Sequence, residues 1–319
     1  MPATVQARLV GRVPLSSDVC TLTFEAPGPL GGLEPGAHVD LHLPGDLIRS
    51  YSLVDWDDSG RRMTVAVKEE PQGRGGSLAA HRLAVGDVVE LGGPRNNFPL
   101  RPSALLPSEQ PVVLLAGGIG VTPLYAMATA LTSAGRPFEL HYHVRSRDLA
   151  AFDGLLRALE LGERYRLHCD DEDGFPDFWQ LLADRPADTA YYVCGPELML
   201  NAVLKAADEL RRGVVHFERF AAAPPGEDVA DEAFEIVLDR SGEVLTVPAD
   251  RSILEVLRST GRDVEYSCGE GTCGSCVLDV LDGDIDHRDG ILTEEERAAG
   301  DCLCICVSRA AGPTLVLDV

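Results

Sequence analysis

The first hundred positions alternate apolar and polar residues in short runs parted by turn residues: Val5–Val10, Cys20–Glu25, His38–Leu43, Ser50–Val54, Met63–Lys68 and Asp87–Leu91. A period of two marks half-buried strands, and no long helical pattern intervenes, so the pattern predicts a small antiparallel barrel. The regime changes at Pro111–Ala116, where Val-Val-Leu-Leu-Ala is continuously apolar, as in a parallel strand covered on both faces. A helix-like stretch over Pro123–Ala134 follows, then strands at Phe138–Val144, Tyr165–Cys169 and Ala190–Cys194 with helical pieces between. Strand alternating with helix predicts a parallel α/β domain. The Pro/Gly/acid-rich stretch from Ala221 to Glu232 reads as a linker. Beyond it the pattern predicts a hairpin (Phe234–Leu238 with Val244–Val247), a helix over Ser252–Ser259, a cysteine-rich loop and closing strands. The expected domains are therefore 1–103, 108–222 and 233–319, with a linker at 223–232.

Composition agrees with several soluble domains. The chain has 319 residues, too many for one ordinary domain, with 45% apolar residues and a mean hydropathy of zero. The longest apolar run, around Pro111–Val121, is broken by glycines and too short to span a bilayer. The first residues lack a basic segment followed by an apolar core, so a cytoplasmic location is expected. A net charge of −23 argues against nucleic acid or an anionic membrane as partner. From Glu227 onward 22 acids face 7 arginines, which sets off an acidic C-terminal domain.

Nine cysteines is an odd number, and in a reducing cytosol they form no disulfide framework. Cys20, Cys169 and Cys194 are scattered, whereas the other six lie between Cys268 and Cys306. Cys268-Gly-Glu-Gly-Thr-Cys273-Gly-Ser-Cys276, with a further cysteine about thirty residues on, has the x4 and x2 spacing of a plant-type [2Fe–2S] loop. Such a loop wraps two irons while its amides approach the sulfides, so its other positions are small. Gly269, Gly271, Gly274 and Ser275 meet that need. A zinc site favours two paired C-x2–4-C units, and one stands here. Cys302, Cys304 and Cys306 all compete as fourth ligand. On one strand they would share a face, roughly 6–7 Å apart, so one alone reaches the iron and spacing does not choose between them.

Three further motifs point to nucleotides. Arg49-Ser50-Tyr51-Ser52 joins a guanidinium that suits a phosphate, an aromatic that suits a flavin ring and a hydroxyl that can bond a ring nitrogen. Strand alternation places Arg49 and Tyr51 on one face and Ser52 on the other; alone the run is an ordinary edge strand. Gly73-Arg-Gly75-Gly76-Ser77 can expose amides to a phosphate, or be a plain flexible loop. Gly117-Gly118-Ile-Gly120-Val-Thr122-Pro123 stands between a buried strand and a helix, where backbone can approach a pyrophosphate, although it is not the G-x-G-x-x-G fingerprint. Cys194-Gly195-Pro196 closes a strand at the end where ligands bind in open α/β sheets; otherwise it is a buried cysteine before a turn.

Taken together, R-x-Y-S, G-G-x-G-x-T-P, C-G-P and a C-terminal plant-type loop make the sequence similar to the phthalate dioxygenase reductase and vanillate O-demethylase reductase family over nearly its whole length. The resemblance implies an antiparallel flavin-binding β-barrel, a parallel α/β nucleotide-binding domain and an α+β, β-grasp ferredoxin domain. It implies FMN, because relatives with a C-terminal ferredoxin use FMN. Arg49, Lys68, Gly75, Gly76 and Ser77 would then hold the flavin, with Tyr51 and Ser52 at its ring. Gly117, Gly118, Gly120, Thr122, Pro123, Cys194 and Gly195 would line the NADH path, and Phe220 would cover the flavin where nicotinamide stacks. Ser52, Cys194 and Phe220 would be the catalytic set. Cys306, just before Ser308-Arg309, would be the fourth iron ligand beside Cys268, Cys273 and Cys276. Asp286-His287-Arg288-Asp289 also matches the family, with no role apparent from its residue types. Arg145-Ser146-Arg147-Asp148 departs from the pattern, since an extra arginine there can meet a 2′-phosphate.

The implied activity is an NADH-dependent reductase, a monomer passing single electrons to a Rieske-type oxygenase of an aromatic acid or similar substrate. The competing expectations are a redox-sensing or relay subunit without turnover, and a reductase serving a P450.

Overall fold

The computed structural model describes residues 4–45, 47–101, 104, 110–220 and 232–319. The expected linker at 223–232 lies outside them except for Glu232. Two compact units divide the chain, one ending at Glu218 and the other beginning at Arg219.

In the first unit six strands close a barrel: β1 (Thr4–Pro14), β2 (Val19–Glu25), β3 (His38–Leu43), β4 (Leu47–Trp56), β5 (Arg62–Lys68) and β6 (Val88–Arg95). The order is β1-β2-β5-β4-β3-β6 with every neighbour antiparallel. The period-two pattern is the cause. Leu9, Leu22, Phe24, Val39, Leu41, Leu53, Met63, Val65 and Leu91 point inward and are at most 1% exposed. Each contributes roughly 1.5–3 kcal/mol of apolar burial against the entropy of ordering the chain. A short helix, α1 (Gly76–His81), lies between β5 and β6 in sequence.

The same unit continues into β7 (Val112–Gly117), α2 (Val121–Ser133), β8 (Glu139–Val144), α3 (Asp153–Arg157), β9 (Tyr165–Cys169), α4 (Asp170–Asp173), α5 (Phe178–Ala183), β10 (Ala190–Cys194), α6 (Glu197–Leu210) and β11 (Val214–Glu218). The strands form a parallel sheet in the order β11-β10-β7-β8-β9. All residues of β7 and β10 are buried, as their continuous apolar runs require. Winding reverses between β7 and β10, which makes their carboxyl ends the topological switch point. Helix α2 packs on the barrel strand β4, and Val54 shares a core with Leu124 and Met127.

The second unit contains β12 (Phe234–Leu238), β13 (Glu243–Val247), α7 (Ile253–Ser259), β14 (Val277–Asp282), β15 (Ile285–Asp286), α8 (Glu294–Ala299), β16 (Cys302–Cys304), β17 (Arg309–Ala310) and β18 (Thr314–Leu317). Five of them form a mixed sheet, β13-β12-β18-β14-β16, with β12 and β18 parallel and α7 packed beside it. This is the α+β arrangement of a β-grasp. Both α7 and α8 start with a capping box, Ser252 with Glu255 and Thr293 with Glu296, which satisfies amides that a short helix would leave bare.

Candidate redox site

Strand β4 carries the first cluster of candidate residues. Alternation holds along it: Tyr51 packs toward the barrel core, while Ser52 lies on the outer face, 6% exposed and in register with His38. Arg49 reaches out of the strand to the start of α1, where its Nη2 donates to the Arg74 carbonyl at 3.2 Å. Gly75 caps α1 in the left-handed region at φ 82°, a conformation that favours glycine. A β-carbon on Gly76 would fall 2.4 Å from Arg49 Cγ. The glycine-rich stretch is thus the start of a helix at Gly76 and Ser77 rather than a plain flexible loop, with a guanidinium laid across it. These donors suit a phosphate. Ser77 and Lys68 are already engaged: the Glu70 amide donates to Ser77 Oγ at 3.0 Å, and Lys68 Nζ donates to Glu70 Oε1 at 2.6 Å.

The second cluster is the switch point. Gly117, Gly120 and Gly195 pack backbone against backbone there. A β-carbon on Gly120 would lie 2.4 Å from the Cys194 carbonyl oxygen, and one on Gly117 would lie 2.6 Å from Pro196 Cδ. Gly118, by contrast, faces open space. Thr122 and Pro123 occupy the first turn of α2, with Thr122 Oγ1 donating to the Ile119 carbonyl at 3.0 Å. Cys194 is 1% exposed, and burial raises its thiol well above the ordinary range, with Glu218 adding to the effect.

Glu218 was not among the sequence candidates. It pairs with Cys194 across β10 and β11, its Oε2 is enclosed without a hydrogen-bond partner, and burial pushes its carboxyl up to about 8. The edge strand β11 has one neighbour, so its exposure is mixed and Val-Val-His-Phe-Glu shows neither a continuous apolar run nor clean alternation. His38 was missed as well. It is 4% exposed with both ring nitrogens unpartnered, and burial, with Arg95 nearby, lowers it to about 4. Phe220 stands two residues after β11, 40% exposed, in the second unit.

The third cluster lies wholly in that second unit. Cys268, Cys273, Cys276 and Cys306 are 2–8% exposed, and Cys276 Sγ lies 3.1 Å from Cys306 Sγ. The Glu270 amide donates to Cys268 Sγ at 3.3 Å, and the Cys268 amide donates to Cys273 Sγ at 3.5 Å. Gly269, Gly271 and Gly274 all take positive φ, as a loop folded around buried sulfur demands. Four converging thiols, with amides aimed at sulfur, fit a [2Fe–2S] cluster.

The expectation that Cys302, Cys304 and Cys306 share one strand is corrected. β16 ends at Cys304, and a turn over 305–307 redirects Cys306 toward the loop, where its sulfur lies 3.1 Å from Cys276 Sγ. Cys304 is fully buried and helps to lower the Cys276 thiol, while Cys302 is half-buried. The Asp286–Asp289 run acquires a structural role. Asp289 Oδ1 accepts the Ile291 and Leu292 amides, and the adjacent Gly290 amide donates to the Gly271 carbonyl at 2.8 Å, tying this turn to the cysteine loop.

A closed antiparallel barrel, a parallel nucleotide-type sheet and a cysteine-loop β-grasp define a flavin- and iron–sulfur-dependent oxidoreductase. Residues 6–99 match the oxidoreductase FAD-binding domain family, and residues 236–311 match the 2Fe-2S iron-sulfur cluster binding domain family. Vanillate O-demethylase oxidoreductase of Pseudomonas sp. (strain HR199 / DSM 7063) is 40% identical over 96% of each chain. The phthalate 4,5-dioxygenase oxygenase reductase subunit of Pseudomonas putida is 37% identical over 93% of this chain and 91% of its own. The solved structure of phthalate dioxygenase reductase superposes with a TM-score of 0.76 at 35% identity, covering 99% of this chain and 98% of that one. An intact type IV self-sufficient cytochrome P450 monooxygenase gives 0.83 at 37% identity over 99% of this chain, which spans 41% of that longer one. The chain belongs to the phthalate dioxygenase reductase and vanillate O-demethylase reductase family, oxidoreductases that carry electrons to oxygenases through a flavin and a [2Fe–2S] cluster.

Proposed function

We propose that this chain takes hydride from NADH onto FMN and passes single electrons through its [2Fe–2S] cluster to a Rieske-type terminal oxygenase. The observation that carries the reading is the packing of α2 on β4. It joins the helix whose first turn holds Thr122 and Pro123 to the strand that bears Arg49, Tyr51 and Ser52, so a nucleotide at the switch point lies beside the flavin strand.

In this reading residues 1–103 form the flavin domain, 108–222 the NADH domain and 233–319 the ferredoxin domain, joined by a linker at 223–232. Arg49, with Lys68 and the Gly75–Ser77 turn, holds the FMN phosphate. Tyr51 stacks on the ring and Ser52 bonds its reactive edge. Gly117, Gly118, Gly120, Thr122, Pro123, Cys194 and Gly195 would line the nicotinamide path, and Phe220 would complete the catalytic set with Ser52 and Cys194. Cys268, Cys273, Cys276 and Cys306 hold the irons. When bound, the flavin supplies the conversion of a two-electron hydride into one-electron steps. The domain order supports FMN over FAD.

The test is to release the flavin by heat and weigh it, then assay dye reduction with NADH. FMN and rapid turnover are expected. FAD would overturn the flavin assignment, and the lack of turnover would favour a relay subunit. A second reading, a P450 acceptor, is favoured by the likeness to the self-sufficient P450 chain. Reconstitution with each class of acceptor separates the two.

A further inference from the structure

The carboxyl ends of β8 and β9 are joined by a charged pair. Arg147 stands three residues beyond β8, and Glu172 lies in α4, directly after β9. The guanidinium meets the carboxylate twice, Nη2 to Oε2 at 2.7 Å and Nε to Oε1 at 3.2 Å. The backbones meet as well, since the Asp171 amide donates to the Arg145 carbonyl at 3.1 Å. In an open α/β sheet the dinucleotide lies across the strands' carboxyl ends. A group beyond the second strand of the first βαβ unit then distinguishes a ribose 2′-hydroxyl from a 2′-phosphate. β7–α2–β8 is that unit here, so Arg147 stands where a 2′-phosphate would seek a cation.

We propose that Glu172 is a specificity-determining residue that, by holding Arg147, makes the site accept NADH and reject NADPH. The inference rests on the NADH-site reading above. A 2′-phosphate entering this corner must replace a bidentate carboxylate and then face it, on a short helix whose other positions, Asp170, Asp171 and Asp173, are acidic as well. Both partners of the pair are about half exposed, so the pair adds little to folding stability. Its effect falls on the rival ligand, as an occupied fork and an uncompensated like charge. A 2′-hydroxyl carries no charge and escapes both.

The test uses two fragments on the flavin-loaded protein, 2′,5′-ADP for NADPH and 5′-AMP for NADH, with dissociation constants from calorimetry. Glu172→Gln is expected to tighten 2′,5′-ADP by roughly tenfold, about one charged contact's worth, and to leave 5′-AMP within about twofold. Adding Arg147→Ala to that variant is expected to abolish the gain. Unchanged affinity for 2′,5′-ADP in Glu172→Gln, or a gain that survives loss of Arg147, overturns the proposal. Wild-type protein that binds 2′,5′-ADP as tightly as 5′-AMP removes the NADH preference itself. Failure of both fragments to bind any variant removes the nucleotide site, and the proposal with it.

Discussion

Arg49 lies across Gly76, so closely that a β-carbon on the glycine would fall 2.4 Å from its Cγ and 2.5 Å from its Nε. The strand and the helix start that hold them are more than twenty residues apart in sequence. Gly76→Ala therefore displaces the guanidinium without touching its charge. Flavin affinity is expected to drop roughly ten- to a hundredfold, as for Arg49→Ala, because a charge-assisted contact is lost in both. Flavin retained after gel filtration measures it, and retention equal to wild type would remove Arg49 from the phosphate.

Much of this was legible in the chain. Alternation marks the barrel because each strand turns one face to its core, and Val112–Gly117 stands out because its run is apolar throughout and buried at every position. The x4/x2 cysteine spacing names the cluster loop because few other chemistries use it. What escaped depends on tertiary contacts. Nothing local shows that β16 stops at Cys304, that the Glu218 carboxyl is enclosed, or that Arg147 is already paired. The glycines at the switch point were legible as a turn, but their packing against Cys194 and Pro196 comes from segments more than seventy residues away.

Cys306→Ser is expected to abolish cluster assembly while flavin binding and dye reduction survive, because the cysteine loop has its own core in the second unit. Cys304→Ser is expected to assemble a cluster, since Cys306 is the thiol that the turn over 305–307 brings within 3.1 Å of Cys276 Sγ. Iron and sulfide content decides it; the reverse pattern would make Cys304 the ligand.

Glu218 makes a pH prediction. The residue is partly exposed, but its carboxyl is enclosed and keeps its proton up to about pH 8, whereas an unfolded glutamate releases it near 4.5. Between those values the folded state binds the extra proton, so this group's contribution to stability is lost as pH rises through the window. Glu218→Gln cannot ionise and should gain stability relative to wild type from pH 5 to 8. Denaturant midpoints across that range would show it, and parallel profiles would place the carboxyl in water.

The acid excess of the second unit is expected to steer a basic rim on the oxygenase. Glu265, Asp282 and Asp284 are exposed, whereas Asp286 is paired with Arg288 at 2.6 Å. Steering fades as the Debye length falls from roughly 30 Å at 10 mM salt to about 8 Å at 150 mM. Electron transfer to the oxygenase should slow over that range while flavin reduction changes little. Asp284→Asn should slow it more than Asp286→Asn does. A salt-independent second-order rate would leave these acids with solubility alone.

In the proposed function electrons pass from NADH through flavin to cluster, in that order. Anaerobic mixing with one equivalent of NADH, followed by flavin absorbance and by the paramagnetic signal of the reduced cluster, resolves that order. Flavin is expected to bleach first, with the cluster signal following. In Cys306→Ser the flavin should bleach at the wild-type rate with no cluster signal. Cluster reduction at the same rate in flavin-depleted protein would contradict it.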